Sequence, residues 1–138
     1  MVALLLAQFL LGIATNLYVT IPRDHPGTTA GYFAGIGKGI GWAVGSGPVP
    51  LAIHAVLGSA LVLVAITVLV LAMRSHARRW IVCGLIGLIA IIAAWFNGVS
   101  FINVGQHNIN SMIMSGGFAA AVASYVAALY LATSPPAA

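Results

Sequence analysis

Carboxylates are almost missing from this sequence: Asp24 is the only acidic residue in 138, set against five lysines and arginines. Charged residues make up 4% of the chain, where soluble domains carry about 25%, so a water-soluble globular fold is excluded. The lone Cys83 forms no disulfide within the chain and reads as a small buried apolar side chain. No HExxH run and no cysteine cluster is present, which removes the familiar zinc-hydrolase patterns. Basic residues are too few for a nucleic-acid face: Arg74, Arg78 and Arg79 share one short loop, with Arg23 and Lys38 elsewhere. A phosphate-binding loop is also excluded. Lys38 follows Gly37, but the glycine five positions before Gly37 and the serine or threonine after Lys38 are both missing.

What the chain does contain is apolar length. Four stretches, 2–21, 50–73, 80–103 and 110–132, each reach the roughly 20 residues that a helix needs to cross about 30 Å of hydrocarbon. The expected fold is all-α: an integral-membrane, four-helix up-and-down bundle forming a single transmembrane domain over 1–138, with a glycine-rich outer loop between its first two helices. The first stretch lacks a basic leader and a small-residue cleavage site, so it reads as a retained helix ended by Pro22 and not as a secretory signal. Pro48 precedes the second stretch, and Ser134, Pro135 and Pro136 close the fourth. The loop carrying Arg74, Arg78 and Arg79 belongs on the cytoplasmic side of the plasma (inner) membrane, which puts both termini there too. Trp80 and Trp42 are then expected as interfacial anchors at opposite surfaces.

Small residues recur at helical spacing in two places. Gly31, Gly35 and Gly39, and again Gly37, Gly41 and Gly45, fall four apart in the first loop, predicting either a short glycine-rich helix capping the bundle or a flexible interfacial loop. In the fourth span, Ser111, Ser115, Ala119, Ala123 and Ala127 form one ridge, and Gly116, Ala120, Ser124 and Ala128 the next. These ridges predict close helix packing, either inside the bundle or against another copy. Gly58, Gly84 and Gly87 fit the same logic.

Polar residues gather toward one side. Asn16, His54 and Asn97 lie in the outer halves of their spans, and Asn103, Gln106, His107, Asn108 and Asn110 mark the outer turn. Polar groups at membrane depth must face the interior and be paired. Their convergence predicts an outward-opening polar pocket involving Asn16, Asn97, Asn103 and Asn110, walled by Phe96, Phe101 and Met112. Asn16 and Asn97 read first as interhelical hydrogen-bond partners, and His25, His107 and His76 as solvated loop residues. His54 stands out, because no charge lies near it in sequence and either a partner helix or a ligand must satisfy it. A metal reading joins His54 and His107 to the thioethers of Met112 and Met114, donors suited to Cu(I).

The run His54, Ala55, Val56, Leu57, Gly58 resembles the haem-ligating helices of the cytochrome b561 and haem A synthase groups. That resemblance implies haem b, with His54 as axial ligand, Gly58 clearing space for the macrocycle and His107 as the opposing ligand if its turn folds inward. The second half of the chain, from Phe96, Asn97, Gly98 through Asn103 and Ser111 to Tyr125 and Tyr130, resembles a group of uncharacterised four-helix bacterial membrane proteins. It implies the same architecture and no particular reaction. No catalytic residues are identifiable. Three functions follow from these readings: an accessory membrane subunit, within a homo-oligomer or a larger complex; a haem or metal redox protein; or an oligomeric transporter or channel element, disfavoured by the aliphatic cytoplasmic halves of all four spans.

Overall fold

The computed structural model describes residues 1–133, which leaves the Ser134, Pro135 and Pro136 stop outside the described residues. Five α-helices are present among the described residues: α1 (Val2–Tyr18), α2 (Tyr32–Gly45), α3 (Val49–Arg74), α4 (Arg78–Val104) and α5 (Asn108–Thr133). Among the described residues there is no strand. Three of them, α3, α4 and α5, are long and apolar enough to cross a membrane, and they point to a membrane-embedded protein. The expected count of four rises to five because the glycine segment is itself helical, from Tyr32 to Gly45.

The first helix is shorter than its apolar stretch. It has 17 residues, about 26 Å at the usual rise. Val19 is already extended, with φ −109° and ψ 122°. Pro22 keeps the segment from returning to helix, since proline pushes the residue before it, Ile21, out of the helical region. The extended segment has its own backbone partner: the Gln106 side chain accepts from Ile21 N–H at 3.0 Å and donates to Val19 C=O at 2.9 Å. Gly105 (φ +104°) and Gln106 (φ +59°) are both left-handed, and this turn after α4 aims the Gln106 amide at the segment. Gln106→Ala removes both bonds and is expected to lower stability by about 1–2 kcal/mol, read by thermal unfolding in detergent.

α1 packs on α3 and α5, α3 on α4, and α4 on α5, so these four close a ring, while α2 rests on α3 and α4. Contacts across each pair run in opposite chain order. Asn16 meets Ser111 and Phe9 stacks on Phe118; Trp95 reaches Ser59 while Gly84 faces Leu69; Ser124 donates to Cys83 C=O while Gly117 faces Ala90. The ring is tight where glycine permits it. A Cβ at Gly87 would meet the Tyr125 ring at 2.6 Å, and one at Gly117 would meet Ala90 C=O at 2.7 Å.

Most residues of the small ridges of α5 lie off the packed face, with Ser124 of the second ridge the buried exception. Ser115, Ala119, Ala123 and Ala127 of the first ridge are exposed, as are Gly116 and Ala120 of the second. The buried row is Ala121, Ser124 and Tyr125, with Gly117 half-buried. Tyr125 decides this: its ring needs the notch at Gly87, and that contact fixes how α5 is turned about its axis.

Candidate functional site

Inside the ring lies a cavity of about 190 Å³. Aliphatic and aromatic side chains dominate its wall, among them Phe9, Leu61, Ile91, Trp95 and Phe118, and Ile40 of α2 closes one end with Leu51 and Phe101. The polar wall residues come mainly from α1 and α3: Gln8, Thr15, Asn16, His54 and Ser59.

Gln8 and His54 form the polar centre of this wall. The Gln8 amide nitrogen lies 3.3 Å from His54 Nε2 and also donates to His54 C=O at 3.1 Å. Since the amide can only donate, Nε2 accepts and a neutral ring carries its proton on Nδ1. Glycines make the contact. A Cβ at Gly58 would fall 2.8 Å from Gln8 Nε2, and one at Gly12 would fall 3.0 Å from His54 Cε1. Each helix thus supplies a notch for the other's polar side chain. His54 Nδ1, Gln8 Oε1 and Thr15 Oγ1 are buried without a partner among the described residues. Orphans of this kind are uncommon, and all three belong to residues that line the cavity. Nearby, Trp95 Nε1 donates to Ser59 Oγ at 3.1 Å, which in turn donates to Ala55 C=O.

Only some of the residues expected at the site share this cavity. Asn16, His54 and Gly58 line it; Asn97, Asn103, His107, Asn110 and Met112 do not. Asn97 donates to Ala93 C=O of its own helix at 2.9 Å, so it is not a link between helices. Asn16 is: it accepts from Ser111 Oγ at 3.4 Å. His107 is exposed and its carbonyl accepts from Asn110 N–H. Met112 is 68% exposed. Of the expected aromatic wall, Phe101 lines the cavity while Phe96 does not.

The outer polar residues act as braces for α2. Asn103 Nδ2 donates to Gly35 C=O at 3.0 Å, and its amide fills the room left by Gly27, Gly35 and Gly39. His25, expected in solvent, is 3% exposed. Its Nδ1 accepts from Gly27 N–H at 3.2 Å, so Nε2 carries the proton and donates to Ile102 C=O at 3.0 Å, near the end of α4. The ring also stacks on Trp42, with centroids 4.4 Å apart, so Trp42 packs within the protein.

The arrangement does not fit a haem group. Gln8 fills the notch at Gly58 and engages the His54 nitrogen that would ligate iron. About 190 Å³ is also below the range of roughly 300–1,000 Å³ typical of ligand pockets. Among the described residues no group of three or more histidine, cysteine, aspartate or glutamate side chains could hold a metal ion. Gln8 and Trp95 are site residues that the sequence alone does not single out. Gln8 carried a usable signal, as the first polar side chain in an otherwise apolar run from Val2 to Ala14. Comparison with protein-family models, with curated proteins and with solved structures finds no match.

Proposed function

We propose that the chain is a small polytopic membrane protein in which α1, α3, α4 and α5 cross the bilayer as an up-and-down bundle, with both termini in the cytoplasm. It serves as a binding or accessory subunit that holds a small, mainly apolar molecule at the centre of the bundle. The observation that carries this reading is the cavity of about 190 Å³ lined by the Gln8 and His54 side chains, each of which keeps a buried polar atom, Oε1 and Nδ1, without a partner among the described residues. An apolar cavity of about 150 Å³ is enough to admit benzene. A single-ring guest with one hydroxyl, of phenol size, suits both the volume and the free Gln8 acceptor.

Thermal unfolding in detergent tests the reading. Phenol is expected to raise the melting temperature of the wild-type chain more than benzene does, because only phenol can donate to Gln8. Gly98→Leu should abolish the shift while leaving the fold intact: Gly98 lines the cavity, and a Cβ there meets Met114 Sδ at an ordinary 3.5 Å. Equal shifts for wild type and Gly98→Leu would remove the cavity as the binding site. Haem binding by His54 requires Gln8 to leave the Gly58 notch, and its signature is a Soret band that His54→Ala eliminates.

A further inference from the structure

The opposite end of the ring carries a second, unrelated opening. Between the start of α1, the end of α3, the start of α4 and the end of α5 lies a cavity of about 400 Å³, walled by Val2, Val68, Leu71, Gly84 and Leu129. Trp80 and Tyr125 also line it. Both hold a buried polar atom, Trp80 Nε1 and the Tyr125 hydroxyl, without a partner among the described residues. Tyr125 as a whole is 4% exposed. An indole N–H can only donate, and left unpaired in a membrane it is unfavourable, so this opening lacks an acceptor.

Charge points the same way. Arg78 and Arg79 directly precede Trp80, and Arg74 ends α3; all three are exposed. The only acidic side chain in the sequence cannot reach them. Asp24 adjoins His25, which is bonded to Ile102, and from Arg78 to Ile102 the helix rises about 36 Å. Three guanidinium groups beside an apolar opening therefore have no acidic side chain to pair with.

We propose that this opening takes one acyl chain of an anionic phospholipid, whose phosphate oxygens accept from Trp80 Nε1 and pair with the rim arginines. The inference rests on the membrane-embedded reading of the chain and is independent of the central cavity.

Native mass spectrometry of the full chain in mild detergent, with equal amounts of phosphatidylglycerol and phosphatidylcholine, tests it. One phosphatidylglycerol is expected to remain bound in preference to phosphatidylcholine, and added inorganic phosphate should not displace it. Arg78→Gln with Arg79→Gln should weaken phosphatidylglycerol binding roughly thirtyfold, since each arginine near the surface attracts an anionic headgroup independently. Trp80→Phe should weaken phosphatidylglycerol and phosphatidylcholine by a similar factor of several, because both carry the phosphate that the indole N–H would meet, and so leave the preference between them unchanged. Ala128→Leu, which fills the opening and leaves the arginines in place, should also release the lipid. Equal retention of the two lipids by the wild type overturns the proposal without any variant. So does binding that survives both the arginine and the Ala128 substitutions, or displacement by phosphate alone. A chain extracted from membranes only by detergent, yet indifferent to headgroup charge, loses this inference and keeps the membrane reading.

Discussion

Gly117→Leu is expected to lower stability in detergent by about 3 kcal/mol, whereas Gly116→Leu one position away should cost nothing and stabilise by up to about 0.8 kcal/mol through helix propensity. The two glycines look alike in sequence and differ only in what they face. A Cβ at Gly117 would lie 2.7 Å from Ala90 C=O and 3.0 Å from Ala94 Cβ, while nothing lies within 4 Å of one at Gly116. A backbone carbonyl cannot rotate aside, so a leucine at 117 must push α4 and α5 apart and loosen the Tyr125 contact at Gly87 as well. Unfolding followed by far-ultraviolet circular dichroism reads both variants. Similar losses at the two positions would show that α5 is turned differently about its axis.

The second large effect is a change of sign along α2. Gly39→Ala should destabilise by about 2 kcal/mol, and Gly37→Ala should stabilise by up to about 1 kcal/mol, the ordinary gain of alanine over glycine in a helix. Nothing lies within 4 Å of a Cβ at Gly37. At Gly39 the new methyl would overlap the Asn103 amide, which is already held by Gly35 C=O on one side and confined by Gly27 on the other. Asn103 can yield only by giving up that hydrogen bond. Hydrogen exchange should accelerate in α2 of Gly39→Ala and remain slow in α3, α4 and α5. Destabilisation by Gly37→Ala would contradict the seating of α2 on Asn103.

These two glycine pairs also show how far the sequence can be read. The long spans were legible because bilayer thickness fixes helix length and proline and glycine mark the ends: α3 begins within one residue of the expected start. The rotation of each helix was not legible. Two small-residue ridges on α5 were equally plausible, and the choice depended on Tyr125 finding Gly87, a contact 38 positions away in sequence. The glycine-rich segment could be helix or loop by propensity alone, and Asn103 and the His25–Trp42 stack, both tertiary, hold it as a helix.

The site was legible in part for a related reason. Depth along a span shows that a polar side chain must be satisfied but not by what. Asn103 Nδ2, Gln106 and His25 bond to backbone groups of α2, of the segment after α1 and of α4, so they brace the fold where a polar pocket was expected. His54 was identifiable as an intramembrane histidine, yet its partner Gln8 lies 46 positions earlier, in a helix that gave no sign of facing it.

The most direct test of the central cavity is the nuclear magnetic resonance response of the full chain in lipid nanodiscs as phenol is added. The account predicts that the Gln8 side-chain amide and the His54 ring signals move together and saturably, with the Asn103 and Gln106 amides unmoved, and that Gly98→Leu suppresses the change. Phenol that shifts all four side chains alike, or shifts Gln8 and His54 equally in Gly98→Leu, would contradict a guest bound between α1, α3, α4 and α5.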